Sequence, residues 1–241
     1  MHLLLVAVLA GGQLPADGPA EPGSYLWQPA FCIDKALRGP PRAYVPQPGD
    51  LMLATDDNMF WGATHDWAFA FEPHGSGIVF ARPDGGLAML EAGPNDTFRC
   101  RNLDLLPHLQ EYDAKGEIWI RKRMVPLTPE QSCRLTEFAL RQNCKRFAIG
   151  RLGAQLTFIR NRGPLRTWVL GKPRGDRRAY FCSELVTEAC VAAGLVNPET
   201  ARPSATYPHD LFFGRSYNLY LDRHLEINCY WEPPARWTCR P

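Results

Sequence analysis

The spacing of apolar and polar residues along this chain predicts strands in its first half and helices in its second. Gly49-Asp50-Leu51-Met52-Leu53-Ala54 reads as a short strand leaving a turn. Gly77-Ile78-Val79-Phe80-Ala81-Arg82 and Leu87-Ala88-Met89-Leu90-Glu91-Ala92 flank Pro83-Asp84-Gly85-Gly86, and two apolar runs around Asp-Gly predict a β-hairpin. Glu117-Ile118-Trp119-Ile120-Arg121 predicts a further strand. A short helix is expected from Leu105 to Tyr112. Thr128-Pro129-Glu130-Gln131 combines a cap residue, proline in the first turn and glutamine at the third helical position, which opens a helix running to about Cys144. Its Leu135, Phe138 and Ala139 share a face. Another helix starts near Cys182 and stops at Gly194, with Pro198 beyond it. Strands mostly first and helices mostly later favour an α+β fold with an antiparallel sheet and packed helices over an alternating parallel sheet.

The residues before Gly49 follow no such rhythm. Residues 1–23 hold an apolar run, Leu3 to Ala10, that resembles the core of a signal peptide but lacks a preceding Lys or Arg. Export and a packed N-terminal segment both remain open. The run is too short to span a bilayer, and no other stretch suits a transmembrane helix. Residues 24–48 form a Pro- and Gly-rich arm, and residues 49–241 form the main domain with a C-terminal extension. A chain of 241 residues with 45% hydrophobic and 22% charged residues can build a core without disulfides. A formal net charge of +2 is too mild for a nucleic-acid partner. The cluster Arg121-Lys122-Arg123 reads as a solvated strand end. None of the 8 cysteines forms a CxxC pair, and Cys229 with Cys239 is the favoured disulfide if one exists.

The segment Tyr180-Phe181-Cys182-Ser183-Glu184-Leu185 places a thiol in the first turn of a helix, where the partial positive charge favours thiolate. Cys182 shares its face with Leu185, Val186 and Ala189, so the thiol is expected to point into the core, with Glu184, Thr187 and Glu188 toward the other side. A thiol at a helix start facing a sheet suits a cysteine hydrolase. Taken by itself the segment suits a small buried hydrophobe equally well. Cys190 fits that plainer description better.

A thiol nucleophile needs an imidazole, and the imidazole needs a group to orient it. His74 immediately precedes the first hairpin strand, and Glu91, an acid in an apolar strand, returns beside the residues just after it. His74 is favoured over His65, which sits by Asp66 and Trp67. His209 and His224 lie in loop-like sequence. Glu72, His74, His65 and Asp66 match no metal-ligand spacing.

These segments, in this order, resemble the permuted NlpC-type papain-like cysteine hydrolases of the YiiX/YebB group, with lecithin:retinol acyltransferases more distant. The matching pieces are Gly49-Asp50-Leu51-Met52, His74 to Val79, Leu90-Glu91-Ala92, Tyr180 to Leu185, and Tyr207-Pro208-His209-Asp210-Leu211. The resemblance implies a papain-like core in permuted order, with a Cys nucleophile, a His base and a polar third residue, here Cys182, His74 and Glu91. One departure stands out. The family histidine lies two residues before the strand glycine, where this chain has Gly75, and His74 is one residue earlier.

The expected activity is hydrolysis of an amide or ester through an acyl-enzyme on Cys182, with no metal or organic cofactor. Its substrate would be a small molecule, peptide-like or lipid-derived. An acyltransferase on the same fold and a non-catalytic binding module are the alternatives.

Overall fold

The computed structural model describes residues 23–27, 40–56, 71–93, 97–150, 164–216 and 226–240. The signal-like run, His65, Asp66 and His224 lie outside them. Strands β1 (Tyr25–Trp27), β2 (Arg42–Ala43), β3 (Leu51–Asp56), β4 (Gly75–Ala81), β5 (Leu87–Ala92), β6 (Cys100–Asp104), β7 (Gly116–Arg121) and β10 (Ala235–Thr238) form one sheet. Its order is β2-β1-β10-β7-β3-β4-β5-β6, and every neighbouring pair is antiparallel. Between β7 and β10 in sequence, β8 (Arg146–Phe147) and β9 (Ala179–Tyr180) make a small parallel pair. The helices are α1 (Leu105–Asp113), α2 (Pro129–Gln142), α3 (Cys182–Ala192), α4 (Pro208–Phe213) and α5 (Ile227–Tyr230). This is the expected α+β architecture.

The central strands are apolar on both sides because both faces of the sheet are covered. On one face Leu51, Leu53, Ile78, Phe80, Ala88, Leu90 and Trp119 pack against α2 and α3 through Leu135, Phe138, Leu185, Val186 and Ala189. On the other, Met52, Ala54, Val79, Met89, Ile118 and Ile120 pack against Leu105, Leu109 and Tyr112 of α1. Strand alternation sorts neighbours to opposite cores, and each buried Leu, Ile or Phe contributes about 1.5–3 kcal/mol. The hairpin is closed as expected: Arg82 N–H donates to Gly86 O at 2.7 Å, and Gly85 takes φ 89°. The expected helix start is also present, with Gln131 N–H donating to Thr128 Oγ1 at 3.2 Å and Thr128 N–H to Gln131 Oε1 at 3.0 Å.

Three expectations are corrected. Arg121 and Arg123 are buried and form no solvated strand end. Arg121 donates Nη1 to Leu211 O and Phe212 O at 3.0 Å, Nε to Glu232 O at 2.9 Å and Nη2 to Asn228 Oδ1 at 2.6 Å. The guanidinium fork thus satisfies carbonyls in the last turn of α4, which compensates its burial. Arg123 stacks 4.3 Å above the Trp231 ring. Cys229 and Cys239 are both free thiols. Cys229 is exposed on α5, whereas Cys239 follows β10 with its N–H on Asp113. Finally, the loop-like segment around His209 is the helix α4.

Candidate active site

The site grows from the start of α3. Phe181 stands at its N-cap with extended backbone, and its N–H donates to Glu184 Oε2 at 3.2 Å. Cys182 is therefore the first helical residue, beside amides with no partner inside the helix. Its side chain packs against the core formed by Leu185, Val186 and Ala189 on the sheet side, as the helical spacing predicts. The sulfur donates to the main-chain oxygen of His74 at 3.4 Å, bridging 108 residues of sequence.

Glu184, Thr187 and Glu188, expected on the outer side of α3, are fully buried. The residues between the π-helical turn Arg166–Leu170 and β9 cover that side. Glu188 accepts from Arg174 N, Gly175 N and Arg177 Nε, each at 3.0 Å. Arg177 Nη1 also lies 3.4 Å from Glu184. Two buried carboxylates thus pin one loop against α3, and Thr187 Oγ1 donates to Ser183 O at 2.8 Å. Nothing in the local sequence marks this cover; the one available signal is the density of arginines from 174 to 178.

His74 is buried at the entrance to β4, its N–H donating to Ala54 O at 3.0 Å. The contact made by Cys182 is with the main-chain oxygen of His74, the residue expected as its base. Glu91 lies opposite Gly77, as the hairpin predicts, but its side chain shares the parity of Met89 and faces α1. His108 Nε2 is 2.6 Å from Glu91 Oε2, and Tyr112 Oη donates to Oε1 at 2.9 Å. Both oxygens of Glu91 are engaged by α1, on the opposite side of the sheet from α3, so Glu91 does not hold the His74 ring directly. It remains close behind β4, because a Cβ at Gly75 would sit 3.8 Å from Glu91 Oε1. His108 and Tyr112 fall within the helix expected from Leu105 to Tyr112, one turn apart, and nothing in that pattern pairs them with Glu91.

Burial pushes the Cys182 thiol up to about 11, and the Glu91 charge acts in the same direction. The Ser76 hydroxyl and the amides of Ser183 and Ser76 favour the thiolate without overcoming these effects. The helix start alone suggested a lowered value; desolvation outweighs it. The resting group is a neutral thiol. Cys190, deeper in the same helix, is pushed up to about 12 by burial.

The C-terminal motif closes the site from the side. Ser183 Oγ donates to Thr206 O at 2.7 Å, and Asp210 Oδ2 accepts from Tyr207 N at 3.0 Å to start α4. His209 then packs on Phe213 at 4.5 Å and on Phe71, in the segment leading to His74, at 6.3 Å. Pro208 in the first turn and Asp210 at the third helical position are the signals of a helix start that the loop-like reading passed over, and no local signal marks the partner Phe71. Among the described residues, no cluster of three or more His, Cys, Asp or Glu side chains converges as a metal site. Nor is any helix among them long and apolar enough to cross a membrane.

No family model matches the chain, and no curated protein matches it. Among solved structures it is similar to the metalloprotein yiiX from Escherichia coli O157:H7. The TM-score is 0.42 at 16% identity, covering 74% of this chain and 87% of that one.

Proposed function

We propose that the chain is a cysteine hydrolase with a papain-like site in permuted order, acting on the amide or ester carbonyl of a small, peptide-like or lipid-derived substrate. The supporting observation is the 3.4 Å contact that seats the Cys182 sulfur against the His74 main chain at the start of α3. Because burial holds the thiol neutral, the proton leaves during attack and not before it. The imidazole of His74 takes that proton as the S–C bond forms, giving a tetrahedral adduct whose oxyanion accepts from amides at the helix start. The imidazolium returns the proton to the leaving amine or alcohol as the C–N or C–O bond breaks. Water, deprotonated by the same imidazole, then cleaves the thioester and restores the thiol. In this reading Glu91 supports the imidazolium as a fixed charge behind β4, without a direct hydrogen bond.

A p-nitrophenyl ester tests the proposal. The parent is expected to release nitrophenol and carry the acyl group on the Cys182 peptide in mass spectra. Cys182→Ala should abolish both, and His74→Ala should slow acylation by at least about a hundredfold. Cys182 left unmodified while the ester is intact to the chain would sink the proposal. It would favour the second reading, a binding module, for which the high thiol pKa speaks.

A further inference from the structure

The α3 face of β4 carries hydrocarbon at Ile78 and Phe80, which pack with Leu185, Val186 and Ala189. Two residues before Ile78, on the same face by strand parity, stands Ser76, fully buried and paired in register with Leu53. The Cys182 sulfur reaches β4 at this end, on the oxygen of His74. Ser76 Oγ has no hydrogen-bond partner of ordinary geometry among the described residues. An unmade hydrogen bond on a buried group is costly, so the hydroxyl needs a reason to be there. A neutral thiol is a poor acceptor, whereas a thiolate accepts strongly. The same hydroxyl and the Ser76 amide favour the ionised sulfur.

Among the described residues, no cation acts on the ionisation of Cys182. Glu91 lies behind β4, His74 precedes it, and His209 and Asp210 belong to α4. On α3 itself Glu184 is matched by Arg177, and Arg134 of α2 reaches only the far end, at Ala193 O.

We propose that Ser76 is a positioning residue for Cys182: its hydroxyl turns its hydrogen onto the sulfur as the thiol proton leaves, so that a neutral donor holds the thiolate. Only the S–H bond breaks; its proton passes to the imidazole, and Ser76 keeps its own. The inference rests on the reading of Cys182 as nucleophile.

The test is alkylation of the full chain by iodoacetamide from about pH 6 to about pH 11, followed at the Cys182 peptide by mass spectrometry. Parent, Ser76→Ala and Ser76→Thr are compared, with the Tm of each. Ser76→Ala is expected to slow labelling near pH 8 by about tenfold and to move the profile up by about one pH unit, the size of a hydrogen bond to a charged group. Ser76→Thr should restore both. Superposed profiles for parent and Ser76→Ala would overturn the inference. So would a slowing that tracks Tm and is not restored by threonine, or no labelling of Cys182 in the folded parent. A Ser76 effect without ester acylation would sink the catalytic reading alone; acylation without a Ser76 effect would sink this inference alone.

Discussion

Asp50 illustrates how a residue read as part of a turn becomes a buried acid. It accepts from Arg123 N at 2.7 Å, Tyr44 Oη at 2.9 Å and Gln47 N at 3.0 Å, tying the entry of β3 to the end of β7. Burial raises it from 3.8 to about 7, while the donors pull it back down. In the window between these values the folded chain holds a proton that the unfolded chain has lost. Asp50 should therefore make stability fall as pH rises from about 4 to about 7, with no further change above that. Denaturant melts across this range should show a shallower decline for Asp50→Asn than for the parent; parallel profiles would refute the assignment. Arg121 belongs to the same scale. Arg121→Met leaves buried carbonyls of α4 without donors and should cost about 2–4 kcal/mol in urea unfolding. A loss below about 0.5 kcal/mol would mean that those carbonyls find other partners.

The elements were legible where local chemistry decides them. The α2 start needs only Thr128, Pro129 and Gln131, and Thr128→Ala should cost about 1 kcal/mol by thermal denaturation. A neutral result would show that the cap is redundant. The hairpin needed only its turn and two apolar runs. What they left undetermined is the tightness of its pairing. A Cβ at Gly77 would stand 2.6 Å from Met89 Sδ and 3.2 Å from Leu90 O, so the strand glycine is a packing requirement. Gly77→Ala should destabilise by roughly 1–3 kcal/mol, and Met89→Ala in the same chain should recover part of that loss if the clash is the cause. Strict additivity of the two losses would argue against it. The outer side of α3 was misread because helical spacing identifies a sheet-facing stripe but cannot reveal a loop that closes over the other side.

At the scale of the whole molecule, the sheet extends beyond the expected main domain. Leu26 of β1 and Tyr44 are buried in the core on the α1 side, and β1 pairs with β10 near the other end of the chain. Leu26→Ala should therefore cost about 2–4 kcal/mol, measured by chemical denaturation. A change within about 0.5 kcal/mol would make residues 24–48 a dispensable arm. The long separation between β1 and β10 explains why neither was recognised: each is a few residues long, and its partner is more than 200 positions away.

By itself, the sequence determined the local elements and the order of the motifs. Cap residues, turn glycines and apolar runs act over a few residues, so they specified the hairpin, α2, the start of α3 and the inward thiol of Cys182. Only the tertiary structure decided which faces meet. Glu91 and Cys182 lie on opposite sides of one sheet, because strand parity assigns Glu91 to α1, where His108 and Tyr112 supply its partners. The ionisation of the thiol was settled at the same level. A helix start favours thiolate locally, but desolvation depends on everything packed around it, and here it keeps the resting sulfur protonated.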